Sequence, residues 1–296
     1  MCREALTGLN INPDGTYVDA TYGGGGHSRA ILDQLTSAGR LYAFDQDADA
    51  IPHSSFGGTF TFINENFRNM KAFLRLHGVR KVDGVLADLG VSSHQFDTAE
   101  RGFSTRLDGA LDMRMDARQE TSARDLVNGL GEEELAALLK LYGELPNARQ
   151  MARAIVKTRS LKTIETTFEL REAVSHHLPR GMENKYLAML FQALRIEVNG
   201  ELDALKEMLM QACDMLVEGG RLVVISYHSL EDRLVKNFMK TGNFEGRLDK
   251  DFYGNVLSPM KMVSRGAIQP SEDELAANSR SRSAKLRVGE KMKIEK

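Results

Sequence analysis

Cysteine is scarce in this chain. Its two cysteines, Cys2 and Cys213, stand far apart and lack metal-ligand spacing. A disulfide framework and a zinc site are therefore not expected, no other metal is expected, and the compartment reads as reducing and cytoplasmic. Cys213 lies in an apolar helical pattern and reads as a core residue. Long hydrophobic runs are missing too: none approaches the ~18 residues of a membrane span, and the N-terminus shows no signal-peptide h-region. Charge of neither sign dominates. With a formal net charge of −2, a nucleic-acid partner has to be met by a local basic patch rather than a global field. Internal repeats and low-complexity tracts are absent. What is there, 296 residues with 42% hydrophobic and 27% charged, is the balance of a globular chain with a core, long enough for about two domains.

The chain is organised around Tyr17 to His27, which reads Tyr-Val-Asp-Ala-Thr-Tyr-Gly-Gly-Gly-Gly-His. A β-prone segment (Tyr17, Val18) runs into four glycines, and Ala30, Ile31, Leu32 and Leu35 follow at helical spacing. Strand, glycine loop and helix open a nucleotide-type α/β fold. Without Cβ atoms such a loop turns sharply, and a ligand can lie on its backbone N–H groups. Leu41 to Phe44 reads as a second buried strand ending in Asp45. An acid there, about 20 residues past the glycines, is placed to accept hydrogen bonds from ribose hydroxyls. The dinucleotide fingerprint G-x-G-x-x-G fails, because its third glycine would fall on Ser28 or Arg29, and no P-loop Gly-Lys-Ser/Thr follows. A glycine loop with a ribose acid but no phosphate fingerprint fits S-adenosylmethionine best. The bland alternative is a tight turn in an ordinary α/β protein.

Pro13-Asp14-Gly15 makes a turn before the first strand, and Thr59 to Ile63 alternates as a third, with Asn66-Phe67 after its end. Val82 to Leu89 is a near-continuous apolar fourth strand, as expected for a parallel sheet covered on both faces. Asp88 stands at its tip. Ligands of open α/β sheets bind beyond the carboxyl ends of strands, so one crevice is expected to hold Asp45, Phe67 and Asp88 beside the glycines. A core aromatic is the competing reading of Phe67. Glu100 to Asp116 reads as a long loop near that crevice or as a surface connection with an Arg–Asp network.

From Thr121 to about Asn199 the pattern is helical: Ser122 to Leu130, Glu132 to Tyr142, Asn147 to Thr158, Thr166 to His177 and Asn184 to Val198. The expected division is therefore 1–116 and 200–296 for the α/β domain and 117–199 for an inserted helical domain. Arg149, Arg153 and Lys157 recur at i, i+4 and i+8 and share one helix face. Arg159 and Lys162 extend this patch, and no acid occurs from Pro146 to Thr163. It reads as an RNA grip, or as a solvated basic helix. The α/β pattern resumes with a helix from Glu201 to Val217, a Glu218-Gly219-Gly220 turn and a fifth strand, Leu222 to Ser226. After it, Ser229 with Asp232 reads as a helix cap. His228 at the strand tip reads as either a substrate contact or a structural hydrogen-bonding group. The basic, alternating tail from Arg280 to Val288 reads as a last strand, with Arg280, Arg282 and Lys285 as further RNA contacts.

Taken together, these stretches resemble the bacterial 16S rRNA (cytosine-N4)-methyltransferase RsmH (MraW) family. The resemblance rests on Val-Asp-Ala-Thr-Tyr-Gly-Gly-Gly-Gly-His-Ser, Phe-Asp-Gln-Asp, Leu-Ala-Asp-Leu-Gly-Val-Ser-Ser, Glu-Arg-Gly-Phe-Ser, Leu-Asp-Met-Arg-Met-Asp, Phe-Gln-Ala-Leu-Arg-Ile-Glu-Val-Asn, Ser-Tyr-His-Ser-Leu-Glu-Asp-Arg and Ser-Arg-Ser-Ala-Lys-Leu-Arg, in the family's order. It implies a Rossmann-like class I S-adenosylmethionine-dependent methyltransferase sheet (α/β) with an inserted all-helical domain. It also implies methyl transfer to the exocyclic N4 of one cytidine in the 16S rRNA decoding centre. Cofactor contacts would fall on Gly25, Gly26, His27, Asp45, Phe67, Asp88 and Gln95, the last on the resemblance alone. Two departures stand out. The chain starts after the His-x-Pro-Val-Leu-type stretch usual in the family, and Asn184 to Ala188 replaces the His-Pro-Ala-x-Arg of many members.

Methyl transfer to an amine needs position and electrostatics from the protein, while the cofactor carries the reactive group. An acceptor near the amine N–H would hold its lone pair toward the methyl group; Asp88 and the Ser92-Ser93 backbone are the candidates, with His228 beside them. The Asp/Asn-Pro-Pro-aromatic pattern of amino-methyltransferases is not present. Two rivals stay open: an RNA-binding ribosome assembly factor without turnover, and a nicotinamide-dependent oxidoreductase.

Overall fold

The computed structural model describes residues 1–52, 57–250, 252–254, 258–264 and 266–293. Among them, the apolar segments pair into a seven-stranded sheet. Its strands are β1 (Thr16–Asp19), β2 (Arg40–Phe44), β3 (Phe60–Ile63), β4 (Val82–Asp88), β5 (Leu216–Ser226), β6 (Met260–Met262) and β7 (Lys285–Lys291), in the order β3-β2-β1-β4-β5-β7-β6. The first five pair in parallel, and β7 runs antiparallel between β5 and β6. Strand order reverses between β1 and β4, the topological switch point where such sheets bind ligands.

Period-two alternation assigns the side chains to two faces. Val18, Phe44, Val85, Ala87, Leu222 and Val224 belong to one core, while Tyr17, Leu41, Leu86, Val223 and Ile225 belong to another. Each fully buried Leu or Phe contributes ~1.5–3 kcal/mol, which is why helices cover both faces. In chain order the helices are α1 (Cys2–Leu9), α2 (Gly26–Leu32), α3 (Met70–Leu76), α4 (Ser93–Asp97), α5 (Ala123–Gly129), α6 (Glu132–Gly143), α7 (Ala148–Arg159), α8 (Thr167–Val174), α9 (Glu183–Asn199), α10 (Glu201–Met215), α11 (Ser229–Thr241) and α12 (Glu272–Ala277). Met70 and Leu74 of α3, Leu205 to Cys213 of α10 and Phe238 of α11 fill the first core; Ala5 and Leu9 of α1 and Ile31 of α2 fill the second. No described helix is long and apolar enough to cross a membrane.

Two expected details differ. The Glu218-Gly219-Gly220 turn lies inside β5, where the register slips between Val82↔Leu216 and Gly84↔Arg221 and Gly219 adopts φ +77. The basic tail is not extended throughout: residues 279–283 form a 3-10 turn, and the strand begins at Lys285.

The chain divides into two compact units, one of residues 1–90 and 202–296 and one of residues 91–201. Sequence reading placed the first boundary at 116/117. The difference has a physical reason, since Phe103, Leu111, Met113 and Met115 are buried in the core of the helical unit with Leu135, Leu139, Ile155 and Leu190. The 100–116 segment is a built loop rather than a surface connection. Buried Asn199 accepts from Met115 N at 2.7 Å and donates to Met113 O at 2.8 Å. Arg114 grips Asp112 through Nε and Nη2, both at 2.8 Å. At Gly102 (φ +72) a Cβ would lie 2.3 Å from Ala110 O, so only glycine fits.

Candidate active site

The glycine loop is held by its ends. Asp19, the last residue of β1, is fully buried; its Oδ2 accepts from Ser28 Oγ at 2.7 Å and its Oδ1 from Thr21 N at 3.1 Å. Burial pushes its carboxyl up to about 6, against those bonds and the nearby His27. Thr21 in turn accepts from Asp88 N at 2.7 Å and so ties the loop to the tip of β4. Gly25 takes φ +75 as the residue before α2, and a Cβ there would lie 2.6 Å from the Tyr22 hydroxyl. At Gly23, Gly24 and Gly26 a Cβ would meet nothing within 4 Å. No side chain caps α2, so the N–H groups of its first turn are open to an acceptor lying on the loop.

Asp45 closes β2 as expected. Its Oδ2 accepts from Gly23 N at 2.7 Å and its Oδ1 from Asp47 N at 2.9 Å. Burial holds its carboxyl above the usual range despite these bonds and a further one from the Gln46 backbone. A carboxylate offers about four acceptor sites, so room for another donor is left. Phe67 begins a 3-10 turn after β3 and is half-buried against the first core. That position joins both readings of it, a packed ring beside the strand ends.

Asp88 is the last residue of β4. Its Oδ1 accepts from the Tyr227 hydroxyl at 2.9 Å, and its Oδ2 lies 3.3 Å from His27 Nε2. A cavity of about 240 Å³ is lined by Gly26, His27, Asp88, Ile225, Tyr227 and Cys2, among others. Asp19 and Tyr227 escaped the sequence reading. Asp19 carries the signal that exposed Asp45 and Asp88, an acid closing an apolar strand, but the adjacent glycines masked it. Cys2 in the cavity was also unforeseen; burial pushes its thiol up, so it is held as a thiol rather than a thiolate.

The other expected residues fall elsewhere. His228 is the cap of α11: its Nδ1 accepts from Glu231 N at 3.4 Å, and Glu231 accepts from Tyr227 N at 3.0 Å. The cap is thus His228 and not Ser229, and this imidazole makes a structural hydrogen bond. Ser92, Ser93 and Gln95 belong to the helical unit. Ser92 caps α4 in a reciprocal box with Gln95, with Gln95 N donating to Ser92 Oγ at 3.2 Å and Ser92 N to Gln95 Oε1 at 3.0 Å. Ser93 is exposed and Gln95 buried.

Of the basic residues, Arg149, Arg153 and Lys157 are exposed along α7, opposite buried Met151, Ala152 and Ile155. Arg153 pairs with Glu132 at 3.2 Å. Arg159 and Lys162 do not extend a free patch. Arg159 donates to the carbonyls of Val127 and Leu130 at the end of α5, and Lys162 pairs with Glu169. The run without acids hid these partners because they come from other helices. Lys285 pairs with Asp232 at 3.2 Å beside Arg287 at 2.6 Å. Arg280 and Arg282 are on the 3-10 turn.

The family model for the MraW methylase family matches residues 1–292. The chain belongs to that family. It is 56% identical over 291 residues to the ribosomal RNA small subunit methyltransferase H of Bacteroides fragilis, covering 98% of this chain and 96% of that protein. The enzyme of the same name from Cytophaga hutchinsonii is 55% identical over 293 residues, covering 98% of both chains. The counterpart from Flavobacterium johnsoniae is 54% identical over 292 residues. The methylase is an α/β methyltransferase, and its cofactor is S-adenosylmethionine. The residues fit that group. Bare glycine backbone and an uncapped helix start suit its amino-acid end, and Asp45 at the β2 tip suits its ribose.

Proposed function

We propose that this methylase transfers the methyl group of S-adenosylmethionine to the exocyclic N4 of one cytidine in the decoding centre (P site) of 16S rRNA, within the small ribosomal subunit. The near-full-length likeness to proteins named ribosomal RNA small subunit methyltransferase H supports the substrate. The observation that carries the choice of atom is Asp88. It presents an acceptor at the switch point, beside the cavity, with no thiolate there. Transfer to cytosine C5 needs a covalent nucleophile, normally a cysteine thiolate. An exocyclic amine needs orientation and proton acceptance instead.

The cofactor supplies a methyl carbon on a positively charged sulfur. The protein's part is positional. Asp45 and the glycine backbone fix the cofactor, with Gly25, Gly26, His27 and Phe67 as further contacts. Asp88 accepts a hydrogen bond from the amine and then its surplus proton. The target base leaves its stack to enter such a cavity. RNA is gripped through Arg149, Arg153 and Lys157 of α7, with Arg280, Arg282 and Lys285 as outlying contacts.

Incorporation of labelled methyl into unmodified small subunits tests the reading. Label is expected in the small-subunit rRNA with the native chain and is expected to fall at least a hundredfold with Asp88→Ala, on the scale of ~10²–10⁴ for acid–base groups. Binding of rRNA without any label would favour the assembly-factor reading instead.

A further inference from the structure

The carboxylate of Asp88 is held from two sides by groups on separate elements. Tyr227, just past β5, donates to Oδ1 at 2.9 Å, and His27, in the first turn of α2, brings Nε2 to 3.3 Å from Oδ2. The His27 ring is mostly buried and its Nδ1 has no partner, so Asp88 is the ring's hydrogen-bond partner in the fold. Burial, and then the charge of Asp88, push the Tyr227 hydroxyl far above its usual range, which keeps it a donor. Burial works against charge on His27, but the hydrogen bond and charge of Asp88, followed by the charge of Asp19, outweigh it and hold the imidazole above its usual 6.5. The other ionisable groups around this pair are Glu231, which accepts from Tyr227 N at 3.0 Å, Cys2, Glu274 and the amino group of Met1, which pairs with Glu274 at 2.8 Å.

We propose that His27 and Tyr227 are positioning residues for methyl transfer: they clamp the Asp88 carboxylate in one rotamer, so that its remaining lone pairs receive the N–H of the target amine. A carboxylate offers about four lone-pair sites, and two donors on opposite oxygens fix its plane while leaving sites for the substrate. With the amine N–H held there, its lone pair is directed away, toward the methyl carbon. The N–C bond forms from that lone pair as the C–S bond breaks, its electrons staying on sulfur. The proton left in excess on nitrogen passes to Asp88 and then to water. This role rests on the amine reading given above.

The test compares His27→Ala, His27→Gln and Tyr227→Phe with the native chain. Cofactor affinity is measured by calorimetry, methyl transfer in single turnover, and the His27 ring by nitrogen-edited NMR. At saturating cofactor, His27→Ala is expected to slow single-turnover transfer about ten- to a hundredfold, the scale of a lost bond to a charged group, whatever affinity it also loses as a cofactor contact, while Tyr227→Phe keeps cofactor affinity within about threefold. His27→Gln, which keeps a donor, restores most of the rate. Tyr227→Phe, nearly isosteric, slows transfer about three- to tenfold. In Asp88→Asn the His27 ring titrates lower than in the native chain. Unchanged single-turnover rates in both His27→Ala and Tyr227→Phe would overturn the clamp, as would a Tyr227→Phe rate loss matched by an equal loss of cofactor affinity. If the native chain makes no N4-methylcytidine, the target reading fails, and the NMR arm still decides the clamp. If it makes that product and the variants are indistinguishable from it, the clamp alone fails.

Discussion

Asp45 answers to the glycine loop and to its own turn at once, through Gly23 N and Asp47 N. A carboxylate offers about four acceptor sites, so a ribose hydroxyl can add to the backbone bonds from Gly23, Gln46 and Asp47. Asp45→Ala is therefore expected to weaken S-adenosylmethionine binding about ten- to a hundredfold, the worth of lost bonds to an anionic acceptor; titration calorimetry showing unchanged affinity would remove Asp45 from the site. At this scale the sequence was readable wherever an acid interrupts an apolar strand end, which is how Asp45 and Asp88 stand out. It was opaque where the partner lies far off in the chain. The bond from Tyr227 to Asp88 spans 139 positions, and no local pattern marks it. The cap of α11 was misread by one residue for a related reason. The reciprocal box uses an imidazole, His228, and Glu231, whereas the usual signal is a hydroxyl three residues before an acid.

Among elements, α7 shows how far helical periodicity reaches. Spacing alone puts Arg149, Arg153 and Lys157 on one exposed face and Met151, Ile155 and Val156 on the packed one; Met151 and Ile155 are buried as expected, while Val156 is only half-buried. It does not reveal that Arg159 donates to the end carbonyls of α5 or that Glu132 and Glu169 approach from neighbouring helices. The Arg153–Glu132 pair is exposed, and pairs of that kind contribute ~0–1 kcal/mol, so it yields easily to a phosphate. Replacing the three residues by Ala should flatten the log–log salt dependence of rRNA binding by ~0.7–0.9 per lost phosphate contact, about two in all. A slope equal to the native one would mean that α7 merely faces water. The 100–116 loop is the counter-example. Its Leu-Asp-Met-Arg-Met-Asp stretch has no helical or strand period, and its order comes from Asn199 and from buried Met113 and Met115.

For the whole molecule, hydrophobic period was enough to separate sheet from helix. Each strand of the parallel core was visible, because residues alternating between two buried faces make continuous apolar runs. The short β6 and the α1 and α12 helices were not, being too brief to establish a period. The boundary at 90/91 was also hidden, because α4 is barely one turn long and residues 102–116 contribute core side chains without a helix or strand. What the fold provides is a switch point carrying Asp19, Asp45 and Asp88 around bare glycine backbone, with Cys213 sequestered in the core below. That arrangement makes the modified atom the central claim. Nucleoside mass spectrometry of small subunits treated with the native chain and isotopically labelled S-adenosylmethionine tests it directly. The expected product is labelled N4-methylcytidine, formed equally by Cys213→Ala; labelled 5-methylcytidine, or loss of product with Cys213→Ala, would contradict the account.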